Sequence, residues 1–152
     1  MSGAGGFGTF NKAALCPCCS GRSYESCCKP LHCGVRRAVT AEQLMRSRYS
    51  AFVLSEVDYL IATHPDPVTP SAKRRNGLLE NCREARWLGL KILAVESGEV
   101  GDRKGTVRFE AWFRAGGQRH VMQELSLFQR RDGACDGDWL YIKALQSNLS
   151  MG

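Results

Sequence analysis

The sequence predicts an α+β fold in which helices pack on one face of a curved antiparallel sheet, preceded by a small metal-binding knuckle. Three observations carry that expectation. Six of the eight cysteines lie between Cys16 and Cys33, apolar residues recur at steps of three or four after Thr40, and they recur at steps of two beyond Trp87. A chain of 152 residues supports one core with a small appendage. The expected organisation is an N-terminal arm over 1–15, the knuckle over 16–34 and the α+β domain over 35–152.

Composition narrows the function classes. With 43% hydrophobic and 24% charged residues, burial can drive folding, which excludes a disordered bulk. No apolar run is long enough to span a membrane. The opening "MSGAGGFGTFNKAAL" has neither the basic end nor the apolar core of a secretion signal, so a flexible arm on a cytoplasmic protein is expected. Reducing conditions argue against a disulfide framework and for metal or redox use of the thiols. The net charge of +6 permits attraction to RNA or acidic protein surfaces. Its excess is spread over short runs, Arg36-Arg37, Lys73-Arg74-Arg75 and Arg130-Arg131, which read as solvated faces.

The knuckle, "CPCCSGRSYESCCKPLHCG", begins with Cys16-x-Cys18 and, after eight residues, has Cys27-Cys28. Two short thiol pairs joined by a loop can supply a tetrahedral Zn2+ site at small loop-closure cost. Pro17 stiffens the first pair, Gly21 can take positive φ, and Ser20 and Ser23 offer hydroxyls to backbone or thiolate. An iron-sulfur cluster also takes four thiolates, so spacing leaves iron as the alternative cofactor. A redox pair at Cys16 and Cys19 lacks the βαβ context that such pairs accompany.

Cys16-Pro17-Cys18, Ser20-Gly21, Tyr24 and Cys27-Cys28 together resemble the SEC-C motif, a small zinc-binding element of the SecA translocation motor and other bacterial proteins. The resemblance implies Cys16, Cys18, Cys27 and Cys28 as ligands. The chain departs from the motif at Cys19, where glycine is usual, and at Cys33, so either thiol could enter an alternative set. His32 is a further candidate, with a surface or capping role as the simpler reading.

Thr40-Ala41-Glu42-Gln43 reads as a capping box that starts a helix. Leu44/Met45, Tyr49, Phe52/Val53, Val57 and Leu60/Ile61 give it one apolar face up to Pro65. A second helix starts at Thr69-Pro70 and is weakened or broken at Gly77. "WLGLKILAVES" then places Leu88, Leu90, Ile92 and Ala94 on one strand face. "GTVRFEAWFRAGG" sets Val107, Phe109, Ala111 and Phe113 against Trp112, which would mark an exposed or self-association surface. Gly116-Gly117 supplies a hairpin turn, "QRHVMQELSLFQRRDG" returns as a third strand, and "DWLYIKAL" makes a fourth.

"LMRSRYSAFV", "DYLIATH", "HVMQELSLFQR" and "DWLYI", together with the cysteine motif, resemble the YchJ-type family of bacterial proteins. That resemblance implies a cone-shaped nuclear-transport-factor-two-like (NTF2-like) domain whose curved sheet and helices can enclose a pocket. It brings no reaction with it.

Within such a cone, His120, Met122, Glu124, Ser126 and Phe128 share a strand face. A desolvated Glu124 could act there as a general base with His120 nearby, making the pocket a site for an enzyme or small-molecule binder. The competing and favoured reading pairs Glu124 with Arg46 or Arg48, which cannot both lie on one helix face. Cys82 and Cys135 read as incidental thiols. The leading functional expectation is therefore a non-enzymatic zinc protein and interaction adaptor near translation, export or quality control, with a chaperone or ribosome-associated partner implied by the SEC-C resemblance. The runner-up to that adaptor reading, ahead of the pocket, is ribosomal RNA binding through Arg22, Lys29, Arg36 and Arg37, with Tyr24 stacking on a base.

Overall fold

A computed structural model describes residues 14–151. Most of the arm expected over 1–15 lies outside those residues. A short 3-10 turn (Tyr24–Ser26) and helix α1 (Lys29–His32) follow the first cysteine pair. Helices α2 (Ala41–Leu54), α3 (Val57–Ala62) and α4 (Ser71–Glu84) come next. The chain closes with strands β1 (Arg86–Ser97), β2 (Lys104–Ala115), β3 (Gln118–Arg130) and β4 (Trp139–Met151). The strands form one antiparallel meander in the order β1-β2-β3-β4. No helix among the described residues is long and apolar enough to cross a membrane.

The capping box sets the start of α2. Gln43 N–H donates to Thr40 Oγ1 at 3.1 Å, and the Gln43 side chain accepts from Val39 N–H at 2.7 Å. The same helix end sits on the β1–β2 turn, where Ala41 N–H donates to the Gly98 oxygen. Gly98 has φ +77, and a Cβ there would lie 2.6 Å from that of Ala41, so glycine is required twice over.

The single helix expected up to Pro65 is two helices. Ser55 adopts a left-handed conformation (φ 60°, ψ 39°) that ends α2. The break folds α3 back so that Tyr59 Oη meets Ser47 Oγ at 2.7 Å and Arg48 Nη1 donates to the Leu60 oxygen at 2.9 Å. Helix α4 runs unbroken through Gly77, with none of its residues fully buried.

In β1 the expected face is out of phase at both ends. Register shifts at Trp87/Gly89 and Ile92/Ala94 insert two bulges. The inward side chains are Trp87, Leu90, Ile92 and Val95, while Leu88 and Ala94 are exposed. Strand β2 keeps the expected alternation, and Gly116 and Gly117 both take positive φ at the β2–β3 hairpin. Trp112 pairs with Gly89 and lies over it: a Cβ on Gly89 would meet the indole at 3.3 Å, so the ring covers a glycine of its own sheet.

The core joins α2 to the concave side of the sheet through Leu44, Met45, Tyr49, Val107, Phe109 and Phe128. Cys16, Cys18 and Cys28 belong to the same cluster. The knuckle is thus packed into the main core.

In the basic runs Arg36, Arg37, Lys73, Arg75 and Arg131 are exposed as expected, while Arg74 and Arg130 are not. Arg130 is buried and donates to the Asp102, Gly137 and Val100 oxygens at 2.5–3.0 Å, with its guanidinium 4.6 Å from the Trp139 ring centre. Arg74 donates to the His64 oxygen at 2.6 Å, and Arg75 pairs with Asp58.

Candidate metal centre

The loop from Cys16 to Cys28 closes on itself before it meets the domain. Cys16 N–H donates to the Arg22 oxygen at 2.8 Å, and Leu15 bridges Ser23. Gly21 turns the loop with φ +86. Cys19 also takes positive φ, +65, which explains why glycine suits this position in the motif it resembles. Its thiol is exposed, as is that of Cys33.

The four remaining sulfurs of the knuckle converge. The sulfurs of Cys16, Cys18, Cys27 and Cys28 all lie within 4.8 Å of one another, with three of the residues buried. Cys18 Sγ is 3.6 Å from Cys27 Sγ, which is 3.9 Å from Cys28 Sγ. A tetrahedral ion with bonds of about 2.3 Å to sulfur has sulfur–sulfur edges of about 3.8 Å. The donor set fits a tetrahedral thiolate ion, and the cluster suggests a metal site.

Electrostatics points the same way. The Cys16 thiol is pushed up to about 11, chiefly by its hydrogen bond with Cys18, and Cys28 is raised by bonds to Cys16 and Cys18. Cys18 is held far below the ordinary thiol range by those same neighbours. Four sulfurs this close share few negative charges on their own, and a divalent cation removes the repulsion that keeps the others protonated. The Ser20 hydroxyl lies 3.2 Å from Cys27 Sγ, a second-layer contact suited to a thiolate.

Two struts fix this cluster to α2. Arg46 donates from Nη1 to the Cys18 oxygen at 2.7 Å and from Nε to Glu42 at 2.9 Å. His32 lies outside the sulfur cluster and is half-buried rather than on the surface. Its Nδ1 is 2.8 Å from Tyr24 Oη, its Nε2 is 2.9 Å from the Ser47 oxygen, and its ring meets Tyr59 edge-on at 4.9 Å. Burial lifts Tyr24 and Tyr59 to about 12, so both stay protonated as donors. Sequence pattern gives no sign of this network, because its partners lie on three elements.

A family model described as "YchJ, middle NTF2-like domain" matches residues 40–144. A UPF0225 protein of Geobacter sulfurreducens is 42% identical over 121 residues, covering 79% of this chain and 74% of its own. The chain belongs to the YchJ family. A SEC-C motif containing protein from Rhodopseudomonas palustris, solved in solution, is 35% identical with TM-score 0.66, covering 85% of this chain and 95% of that one. A second SEC-C motif containing protein, from Psychrobacter arcticus, has 29% identity and TM-score 0.67 over 90% and 83%. The fold of this YchJ-family chain is accordingly the NTF2-like α+β cone, entered through a SEC-C knuckle.

The other expected site residues are dispersed. Glu124 lines the cavity of the cone, whereas His120 stacks on Phe113 at 5.0 Å and faces the Ala115 oxygen at 3.2 Å. Four residues apart on one strand, the two are about 13 Å from each other along β3. The favoured Glu124–arginine pair does not form. Arg46 turns to the knuckle, Arg48 bonds Leu60 and Thr63, and Glu124 accepts from Ser126 at 2.6 Å. Of the residues assigned to RNA, Arg22, Lys29, Arg36 and Arg37 are all exposed, Arg37 with an ion pair to Asp138 at 3.0 Å, and the Tyr24 hydroxyl is taken by His32. Cys82 is half-buried on α4 and Cys135 is exposed in a loop, both apart from the cluster.

Proposed function

We propose that this YchJ-family chain is a zinc-binding protein of the cytosol that serves as an interaction adaptor near translation, export or quality control, without catalytic use of the metal. Cys16, Cys18, Cys27 and Cys28 are the ligands, one Zn2+ per chain. The supporting observation is the sulfur geometry: separations of 3.6 and 3.9 Å match the edges of a closed thiolate tetrahedron, which leaves no open position for substrate. All-thiolate chemistry favours zinc among colourless divalent ions, and it requires the reduced thiols of a cytosol. Apolar side chains left exposed beside the knuckle, Leu15, Val35 and Val39, favour a protein as the partner.

Native mass spectrometry of tag-free protein tests the metal. One zinc per chain supports the reading, while an iron-sulfur mass or a metal-free chain overturns it. Affinity capture with intact protein and with a Cys27→Ser/Cys28→Ser double variant tests the adaptor. Identical recovered partners would remove the knuckle from partner recognition.

A further inference from the structure

A cavity of about 420 Å³ lies between the concave face of the sheet and helices α2 and α4. Its volume suits a small molecule. The wall is aromatic, built from Tyr49, Phe52, Trp87, Phe113, Phe128 and Tyr141. These rings are tilted against each other, Tyr49 meeting Trp87 at 5.7 Å and Trp87 meeting Phe113 at 4.9 Å. Such a wall offers both ring faces and ring edges to a flat guest.

Three charged residues line the cavity: Glu84 is exposed, whereas the half-buried Glu124 and the buried Arg48 carry opposite charges that stay apart. Glu124 takes the hydroxyl of the fully buried Ser126 on Oε1, and the Tyr141 hydroxyl neighbours the same carboxylate. Arg48 is 8% exposed, with Nη1 bonded to the Leu60 oxygen and to Thr63 Oγ1 and its guanidinium 5.0 Å from the Tyr141 ring centre. Its Nε and Nη2 hydrogens meet no acceptor among the described residues. Both side chains line one cavity, yet no ion pair joins them. Keeping a buried cation apart from a half-buried carboxylate is costly, and here each is held back by its own anchor. The result is a fixed acceptor and a fixed donor facing the same space.

We infer that the cavity binds a neutral, planar heterocycle whose edge presents an N–H to Glu124 and a neighbouring C=O to Arg48 while its rings lie against the aromatic wall. Glu84 is exposed and screened by solvent, and between Arg48 and Glu124 a net charge on the guest gains from one and loses to the other, so neutrality with a polar edge is the complementary state. This assignment is independent of the metal and extends beyond the adaptor reading.

Calorimetry on the full zinc-loaded chain tests it with four probes of similar size: 2-quinolone, N-methyl-2-quinolone, N-methylquinolinium and 2-naphthoate. The expected result is binding of 2-quinolone, weakened about tenfold or more when its N–H is methylated, since a bond to a charged acceptor is lost. The cation and the anion should both bind more weakly than 2-quinolone. In Glu124→Gln the preference for the unmethylated probe should shrink several-fold. In Phe113→Leu the affinities for both quinolones should fall together, with the preference kept. Equal affinity for the two quinolones, tighter binding of either ion, an unchanged preference in Glu124→Gln, or no heat with 2-quinolone up to its solubility limit would each overturn the assignment. Metal content is read separately, so failure here leaves the zinc reading standing.

Discussion

Arg46 donates from Nη1 to the backbone oxygen of Cys18 at 2.7 Å, so a side chain from the main helix holds the loop that presents Cys16 and Cys18. The Arg46 side chain is three-quarters buried and its Nε is paired with Glu42. Replacing it removes a charge-assisted bond and leaves a carbonyl of the metal loop without its partner. Arg46→Met keeps the apolar stem and should cost about 1–3 kcal/mol in unfolding free energy. The same variant should pass zinc to a chromophoric chelator faster than the parent. An unchanged transfer rate would show that the strut is not what holds the loop.

His32 offers a test of the ligand set. It touches Tyr24, Ser47 and Tyr59, and none of the four clustered sulfurs requires it. His32→Ala should lower the denaturation midpoint, because Tyr24 Oη and a buried helix carbonyl lose a partner, at about 1–3 kcal/mol. It should nevertheless purify with one zinc per chain. Cys28→Ser, at a site that is 1% exposed, should purify without metal. Zinc loss in His32→Ala that persists under stabilising conditions would place the imidazole in the coordination shell.

The start of α2 and the four-strand meander were legible because their signals are local. Thr40 and Gln43 are three residues apart, the period of two spans whole strands, and Gly116-Gly117 marks its own turn. The sulfur cluster was legible for a similar reason, since its loop closes within thirteen residues of sequence. What escaped the sequence is non-local. Arg48 and Arg130 are buried because backbone oxygens elsewhere in the chain accept from them, and those acceptors have no residue type to read. Two bulges in β1 reverse its phase, so that Trp87 rather than Leu88 points inward. The open Glu124–Arg48 arrangement was hidden too, because pairing was the cheaper expectation and only the anchors on Ser126, Leu60 and Thr63 prevent it.

Metal removal should reach well beyond the knuckle. Cys16, Cys18 and Cys28 pack with Leu44, Met45 and Tyr49, and the last two also line the cavity. Stripping the bound metal under reducing conditions should lower the melting temperature and broaden the transition. It should also weaken the near-ultraviolet dichroism of Tyr49 and Trp87, whose rings meet at 5.7 Å. A knuckle that melts alone, with the aromatic signal unchanged, would contradict the shared core.

Arg130 clamps two loops to the end of β3. One guanidinium serves the oxygens of Val100, Asp102 and Gly137 while covering Trp139. Lysine cannot reproduce three divergent donors in a plane. Arg130→Lys should therefore destabilise the fold by about 1–3 kcal/mol. Hydrogen exchange should speed up in the 98–103 and 131–138 loops, where a merely solvated arginine would leave exchange unaltered.

His64 sets part of the response to acid. Its Nδ1 lies 2.9 Å from the Tyr141 oxygen, so Nδ1 carries the hydrogen, and its ring packs on Tyr141 at 4.9 Å. Burial lowers its pKa from the ordinary 6.5, and the Arg48 and Arg74 cations lower it further against the opposing pull of the Tyr141 carbonyl and Asp66. A histidine depressed in the folded state binds fewer protons than it does unfolded, between its lowered value and about 6.5. Its contribution is complete above that window and is lost progressively as pH falls through it. Urea unfolding at pH 7.5 and pH 5.5 should show the parent losing more stability than His64→Asn, which keeps a donor toward Tyr141 but has no proton to gain. Equal losses in the two proteins would assign the acid sensitivity to other groups, the thiolates of the metal centre foremost among them.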